Sequence, residues 1–427
     1  MSPLARTALA SVTATSLAAL TVLLPANGAA ADLAHSKIVS TNPADTTPHV
    51  LDGTVRALAV VGTKVVVGGT FEQVREAGKS KPVLNRHNLF AFDLTTGKIE
   101  TGFVPKVDGV VHTLQAGADG TVYAGGTFKN VGSVKTGTLT RLKVAGGAPV
   151  AAFKPAVNYR VNTIVLRGSR LYAGGSFTLA GGAASSGLSR LNATTGAADK
   201  SFAFTVAKPR KGALKVYRMA VDAKDTKLVV NGTFTEVNKK RRYQIAMIDT
   251  GSGTAKLSTW ATERYATSCN LDAFDTYMRG MDFSPDGKYF VVVTTGGGYG
   301  TSQLCDSAAR WETARTGSGQ KPTWVNWTGG DTLLSTSVTG AAVYVGGHQR
   351  WLNNPYGRDF AGPGAVSRPG IAAIDPATGK ALSWNPTRTL GHGVEALVAT
   401  PKGLLVGSDT DQLGKEYHGR IGMFPLG

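Results

Sequence analysis

The apolar residues of this chain fall in short runs rich in valine, separated by glycine and polar residues, and no segment sustains the 3.6-residue period of an amphipathic helix. The pattern predicts strands joined by turns. The runs also end alike: VVVGGTF (65–71), VYAGGTF (122–128), LYAGGSF (171–177), LVVNGTF (228–234), VYVGGH (343–348) and LLVGSD (404–409). Their first small residues are spaced by 57, 49, 57, 115 and 61 residues, and the 115 spans two periods with YFVVVT (289–294) as a diverged copy. The chain therefore reads as seven repeats.

Each repeat predicts four strands. A strand precedes a tight turn (ADG 118–120, RGS 167–169, SPDG 284–287, PKG 401–403), and the Gly-Gly strand follows it as a hairpin. A third strand ends at DLTTG (93–97), NATTG (192–196), DTGSG (249–253) or DPATG (375–379), and a fourth carries Phe103, Phe153, Phe202, Trp260, Trp327 or Trp384. The expected fold is all-β, a seven-bladed β-propeller forming one domain over 32–427. The last repeat stops at its third strand, so the N-terminal stretch 37–53 is expected to supply the missing strand and close the ring.

On this plan the connections between strands two and three, and those leading into the next repeat, share one face. Long second-to-third loops are expected at 72–88, 296–322, 348–370 and 409–420, in repeats that neighbour one another around the ring, as a raised rim suited to binding. Alternation along each inner strand points its second residue into the central channel. Those residues are Arg56, His112, Asn162, Arg218, Arg279, Leu333 and Glu395. Arg56, Arg218 and Arg279 are expected to share one mouth, a cationic funnel for an anionic or hydroxyl-rich ligand, although any water-filled mouth is polar. The rim adds His348, Arg350, Trp351, Asn353, Asn354, Tyr356, Arg358, Tyr417 and His418, rings beside amides and guanidinium groups that suit sugars or simply pack the loops.

The N-terminus changes the compartment. Arg6 precedes an apolar run from Ala8 to Pro25 and a small-residue AAA at 29–31, the pattern of a secretion signal over 1–31, and no later run is long enough to span a bilayer. In a secreted chain Cys269 and Cys305 are expected to form a disulfide. Lys and Arg total 46 against 28 Asp and Glu, a net charge of +18, which favours anionic surroundings such as acidic glycans or wall polymers, with nucleic acid the least expected. Residues 208–242 hold eleven of the basic residues and three acids, a patch that also reads as a solvated face.

Motifs for chemistry are scarce. There is no HExxH, no Cys cluster, no GxSxG and no P-loop, and Asp409-Thr-Asp411, which could hold calcium, is a weak signal because two carboxylates lack an oxygen-rich continuation. No metal or cofactor is expected. Catalytic groups drawn from several repeats would escape such a search. His112, His348, His392, Tyr417 and His418 are candidates for proton transfer, with Arg56, Arg279 or Arg388 neutralising a uronate as in a lyase.

The turns at 93–97 and 375–379, the latter followed by Trp384, resemble the structural blade motif of quinoprotein propellers. The strands GGTF, with GGHQRWLNNPYG (346–357), AGPGAV (361–366), SWNP (383–386) and VGSDTD (406–411), resemble secreted actinobacterial propeller proteins with delta-60-like repeats, often fused to PKD-type domains. That resemblance implies a fold and a compartment and no reaction. The expected function is a secreted, non-catalytic, monomeric propeller that binds an anionic or neutral polysaccharide, a cell-wall polymer or a surface protein. A polysaccharide lyase or glycosidase at the channel mouth and an extracellular protein-interaction scaffold are the alternatives.

Overall fold

A computed structural model describes residues 33–427 except 252, 253 and 268; the expected secretion signal, 1–31, lies outside them. The described chain is all-β. Seven sheets follow one plan, an antiparallel meander whose first strands are Thr54–Val61, Val111–Ala116, Val161–Arg167, Val216–Val221, Met278–Phe283, Leu333–Val338 and Ala396–Thr400. These first strands lie side by side in chain order, and the last adjoins the first. No described helix is long and apolar enough to cross a membrane.

The turns form where local chemistry requires them. Hairpins between first and second strands turn on Gly62, Gly120, Gly168 and Gly287, all in the left-handed region. After the third strand, Asp375 Oδ1 accepts from the amides of Ala377 and Thr378 at 2.9 and 2.7 Å and from Thr378 Oγ1 at 3.0 Å. Asp93 repeats the arrangement with Thr95 and Thr96. These donors hold both carboxyls below the usual carboxylate range.

The fourth strand is less regular than the sequence predicts. It is a strand only at Lys256–Leu257 and Trp324–Trp327, while in four other sheets it shrinks to single bridges such as Phe92 to Ile99 and Ile374 to Ala381. Its aromatic residues still anchor it, since Phe103, Phe153, Phe202, Trp260 and Trp384 are buried. The long loop expected at 296–322 is also corrected: Ser307–Glu312 is the third strand of sheet five, so that loop ends near residue 306. The strand reads SAARWE, three small residues followed by Arg310, Trp311 and Glu312, with no period of two to mark it in the sequence.

Apolar burial is divided among the junctions. One cluster joins sheets one and two through Val66, Ala91, Val122 and Leu142, and another joins sheets seven and one through Leu405, Met423, Val65 and Phe90. The Gly-Gly pair makes these junctions possible. A Cβ on the first glycine would meet a valine of the next sheet's first strand: Gly68 against Val111 Cγ1 at 2.6 Å, Gly125 against Val161 Cγ1 at 2.7 Å, Gly407 against Val55 Cγ1 at 2.6 Å. On the second glycine it would meet a carbonyl, as at Gly126, 1.9 Å from Val110 O. Side-chain-free positions let adjoining strands approach this closely.

The N-terminal segment lies along the last strand, Ile421–Pro425. Ser40 N donates to Pro425 O and Ala44 N to Met423 O, both at 2.8 Å, and Val39 bridges Leu426. Beyond it His49 is buried, accepts from Gly419 N at 3.2 Å and stands edge-on to Tyr417. Burial, then the charges of His418 and Arg75, lower it to about 4. Its ordinary value is 6.5, so the unfolded chain takes up this proton first as pH falls. The stability contributed by the neutral ring is complete above the unfolded value and is lost on acidification toward the folded one, by up to about 3 kcal/mol. Asp306, pushed up to about 7 by burial, has the opposite slope, stabilising the fold as pH falls. Comparing wild type with His49→Phe therefore isolates the histidine: the variant's unfolding midpoint is expected to drop less on acidification. An equal drop in both would exclude His49 as its source.

Candidate binding site

The first strands meet around a cavity of about 160 Å³. Its polar lining includes Arg56, His112, Asn162, Arg218 and Glu395, and below them come Thr113, Thr163, Ser335 and Thr336, with Leu58, Leu114 and Leu397 among the apolar members. A larger cleft of about 580 Å³ lies between Val61, Lys64, Arg141 and Val150, beside the Lys64–Glu100 ion pair.

A β-bulge sets who faces the cavity. Pairing slips near the start of six first strands, between Val55 and Ala57, Val111 and Thr113, Val161 and Thr163, Val216 and Arg218, Met278 and Met281, and Leu333 and Ser335. The extra residue breaks simple alternation and re-aims its neighbours. This corrects two expectations. Leu333 is buried in the core between sheets five and six, and Leu334 faces the cavity instead. Arg279 is not in the lining: in the wider bulge of sheet five its guanidinium turns back to Thr276 O and Met278 O at 2.9 and 2.8 Å, and Gly280 and Met281 face inward. The three arginines expected at one mouth are thus two.

A third arginine was not foreseen. Arg160, just before the third inner strand, is also outside the lining, but its charge acts on His112 and those of Arg56 and Arg218 act on it. Partial loss of hydration around its guanidinium, then Arg218 and Arg56, lower its own proton affinity, although the residue as a whole stays exposed. His112 falls to about 3, by burial first and then by Arg160, Arg56 and Arg218, so its imidazole is neutral. Tyr217 was also missed: the guanidinium carbons of Arg218 and Arg279 lie 5.2 and 5.1 Å from its ring centre. The only sequence signal for either was position, immediately ahead of or inside the bulge.

Glu395 is the acid among them. Its carboxylate meets Arg56 Nη1 at 3.1 Å and His392 Nε2 at 3.2 Å. Burial alone would raise it, but His392 and the arginines hold it down to about 2. Glu395 in turn raises His392. Arg56 keeps a buried Nε without a partner among the described residues.

Several rim residues are engaged in holding the loops. Arg388 is buried, donating to Asp409 Oδ1 at 2.7 Å and Gly347 O at 3.2 Å. Asp409 also accepts from the amides of His392 and Gly393, so its side chain caps a turn. Arg350 pairs with Asp331 at 2.7 Å and Asp359 at 3.3 Å and lies over Trp351. Asn354 is fully buried, bonded to Thr328 O, Phe360 O and Gly362 N, and Asn353 Oδ1 accepts from Asn326 and Ala381 N. His348 Nδ1 lies 3.2 Å from His392 O. His418 is buried beside Glu416 and His49, a group separate from His112. Tyr356, Arg358 and Tyr417 are exposed.

These contacts tie successive loops together. Tyr299 of loop five bonds Asp359 of loop six at 2.5 Å, Arg388 links Gly347 to Asp409 of loop seven, and Arg420 donates to Gly53 O and Val50 O ahead of sheet one. Cys269 and Cys305 are bonded, with Cα atoms 5.9 Å apart, and anchor loop five to the connection before it. In the basic stretch 208–242, Lys208, Lys211, Lys215 and Lys227 pair with Glu236, Asp272, Asp275 and Asp249, which leaves Arg210, Arg218, Lys224 and residues 239–242 without an ion pair among the described residues.

No family model and no curated protein matches the chain. Solved structures resemble it in outline, two of them as follows. The computationally designed protein Ika8 is 13% identical with a TM-score of 0.47, covering 92% of this chain and 100% of that one. The β-propeller domain of Cps50 (Swd1) from Myceliophteria thermophila is 12% identical with a TM-score of 0.41, covering 76% and 80%. Likenesses this distant carry nothing about what the chain binds.

Proposed function

We propose that this chain is a secreted seven-bladed β-propeller, closed by its N-terminal segment against the last sheet, that binds a cell-surface polysaccharide and performs no chemistry on it. The junction of sheets seven and one and the pairing of residues 39–44 with the last strand support the closed ring. One observation carries the binding. Among the described residues the exposed large apolar side chains are Val83, Val104, Val134, Tyr159, Leu179, Tyr299, Tyr356, Phe360, Leu390 and Tyr417. Every one lies on a second-to-third loop or on a connection between sheets, and none on the opposite turns. In an antiparallel meander those connections necessarily emerge on the same side. Apolar exposure confined to one face marks an interaction surface, and rings such as Tyr356 and Phe360 beside Arg358 offer stacking together with hydrogen bonds, as sugars require.

A glycan array of acidic and neutral polysaccharides, probed with the whole secreted chain, tests this. Binding is expected, weakened at least about tenfold by Tyr356→Ala with Phe360→Ala, with no new unsaturated chain ends in the ultraviolet. Cleavage would replace this reading with the lyase, and capture of a protein but no glycan would replace it with the interaction scaffold.

A further inference from the structure

The cavity at the meeting of the first strands is a second recognition element with its own chemistry. Two guanidinium groups, Arg56 and Arg218, line it, Arg160 adds its charge from just ahead of the third inner strand, and the acid facing them is Glu395, already shared with His392. With His112 neutral, the mouth carries a surplus of positive charge in a partly desolvated recess, where a charge-assisted pair is stronger than in open water. The arginines are not spent on the fold alike. Arg218 Nη1 donates to Asn162 O at 3.1 Å, Arg56 has its Nε unpartnered, and Arg160 is exposed with no side-chain hydrogen bond among the described residues.

Beside and beneath the arginines the lining is neutral: Asn162, whose Nδ2 donates to Val216 O, Ser335, whose Oγ donates to Val394 O, Thr113, which accepts from Ile164 N, and Thr163; Asn162 and Ser335 keep an oxygen to accept with and Thr113 a hydroxyl to donate. An anion without hydroxyls would leave that tier unused. A volume of about 160 Å³ corresponds to about five waters of liquid, room for one sugar-sized unit and not for a chain passing through. We infer that the cavity is a carboxylate-recognition site that takes a single sugar-acid unit of the glycan, its carboxylate held by Arg160 and Arg218 at the mouth and its hydroxyls by the neutral tier below. This rests on the glycan-binding reading and names the ligand class.

The test is calorimetric titration of the whole chain with glucuronate, glucose and inorganic phosphate. Glucuronate is expected to bind, glucose at least about tenfold more weakly, and rising salt to weaken only the former. Arg160→Met should lower glucuronate affinity at least about tenfold without moving the unfolding midpoint, since that side chain supports nothing else. Arg218→Met should lower the affinity as much, with some loss of stability because Arg218 also donates to Asn162 O, while Arg279→Met, whose guanidinium is turned away, should leave affinity unchanged. Phosphate binding as tightly as glucuronate, or an equal loss with Arg279→Met, or no loss with Arg160→Met, overturns the inference. If glucuronate fails to bind while polysaccharide still binds and remains sensitive to Tyr356→Ala with Phe360→Ala, the cavity assignment alone is lost. If polysaccharide binding is absent too, the glycan reading falls with it.

Discussion

Replacing Gly126 with alanine is expected to destabilise the protein by more than about 3 kcal/mol, a cost at or above the upper end for overpacking a well-filled core. The added methyl would stand 1.9 Å from Val110 O, and that oxygen is already the acceptor for Thr127 N. Backbone has to move, and the bulge between Val111 and Thr113 moves with it. Conformational preference is not the cause, because Gly126 lies outside the left-handed region. Gly125→Ala should cost less, about 1–3 kcal/mol, since its obstacles are the side-chain methyls Val161 Cγ1 and Thr113 Cγ2 at 2.7 and 2.9 Å. Gly102→Ala, with nothing within 4 Å, should stay within about 0.5 kcal/mol. Denaturant midpoints of the three variants give the order, and a Gly126→Ala protein as stable as Gly102→Ala would show that the strand approach is not what fixes this glycine.

Loss of the disulfide is the second large effect. Cys305→Ser opens a 36-residue closure, and about 2–4 kcal/mol of stability is expected to go with it, chiefly through a freer unfolded chain. The native side contributes as well. A Cβ at Gly296 would strike Cys269 and one at Gly298 would strike Cys305, at 2.5 and 2.9 Å, so the loop is folded tightly around the bond. Thermal unfolding with and without reductant measures this: reductant should lower the wild-type midpoint to that of Cys305→Ser and leave the variant where it is. A wild-type midpoint unmoved by full reduction would remove the bond from the account.

Much of the architecture was legible in the repeats, because a strand that must pass under a neighbour's valine has to carry glycine, and a turn closed by a side-chain acceptor has to carry Asp or Asn. Both constraints are local in sequence and recur in each unit. The site was legible only in part. Arg56, His112, Asn162, Arg218 and Glu395 do line one cavity, as alternation along the inner strands predicts. The expectation missed at Leu333, which begins its strand and corresponds to Val55, Val111 and Val161 one place ahead of the inward Leu334, and at Arg279, where a wider bulge between Met278 and Met281 inserts residues that a period of two cannot count. Arg160 was invisible for a different reason: it precedes its strand, and its neighbours Arg56 and Arg218 are about a hundred and about sixty residues away along the chain.

The rim shows the same division. Asn353, Asn354, Arg350 and Arg388 have the composition of a sugar site, yet each is bonded to its own loops, and composition does not reveal whether a polar side chain's hydrogen bonds are already made. By itself the sequence determined the all-β character, the repeat, the turns and the pairing of two cysteines, since these depend on side-chain period and backbone sterics within a few residues or on there being only two thiols. Only the tertiary structure decided which arginines share the cavity, which rim groups remain free and that the exposed apolar residues keep to one face. Those properties depend on distances between residues far apart in the chain, and the bulged strands set them.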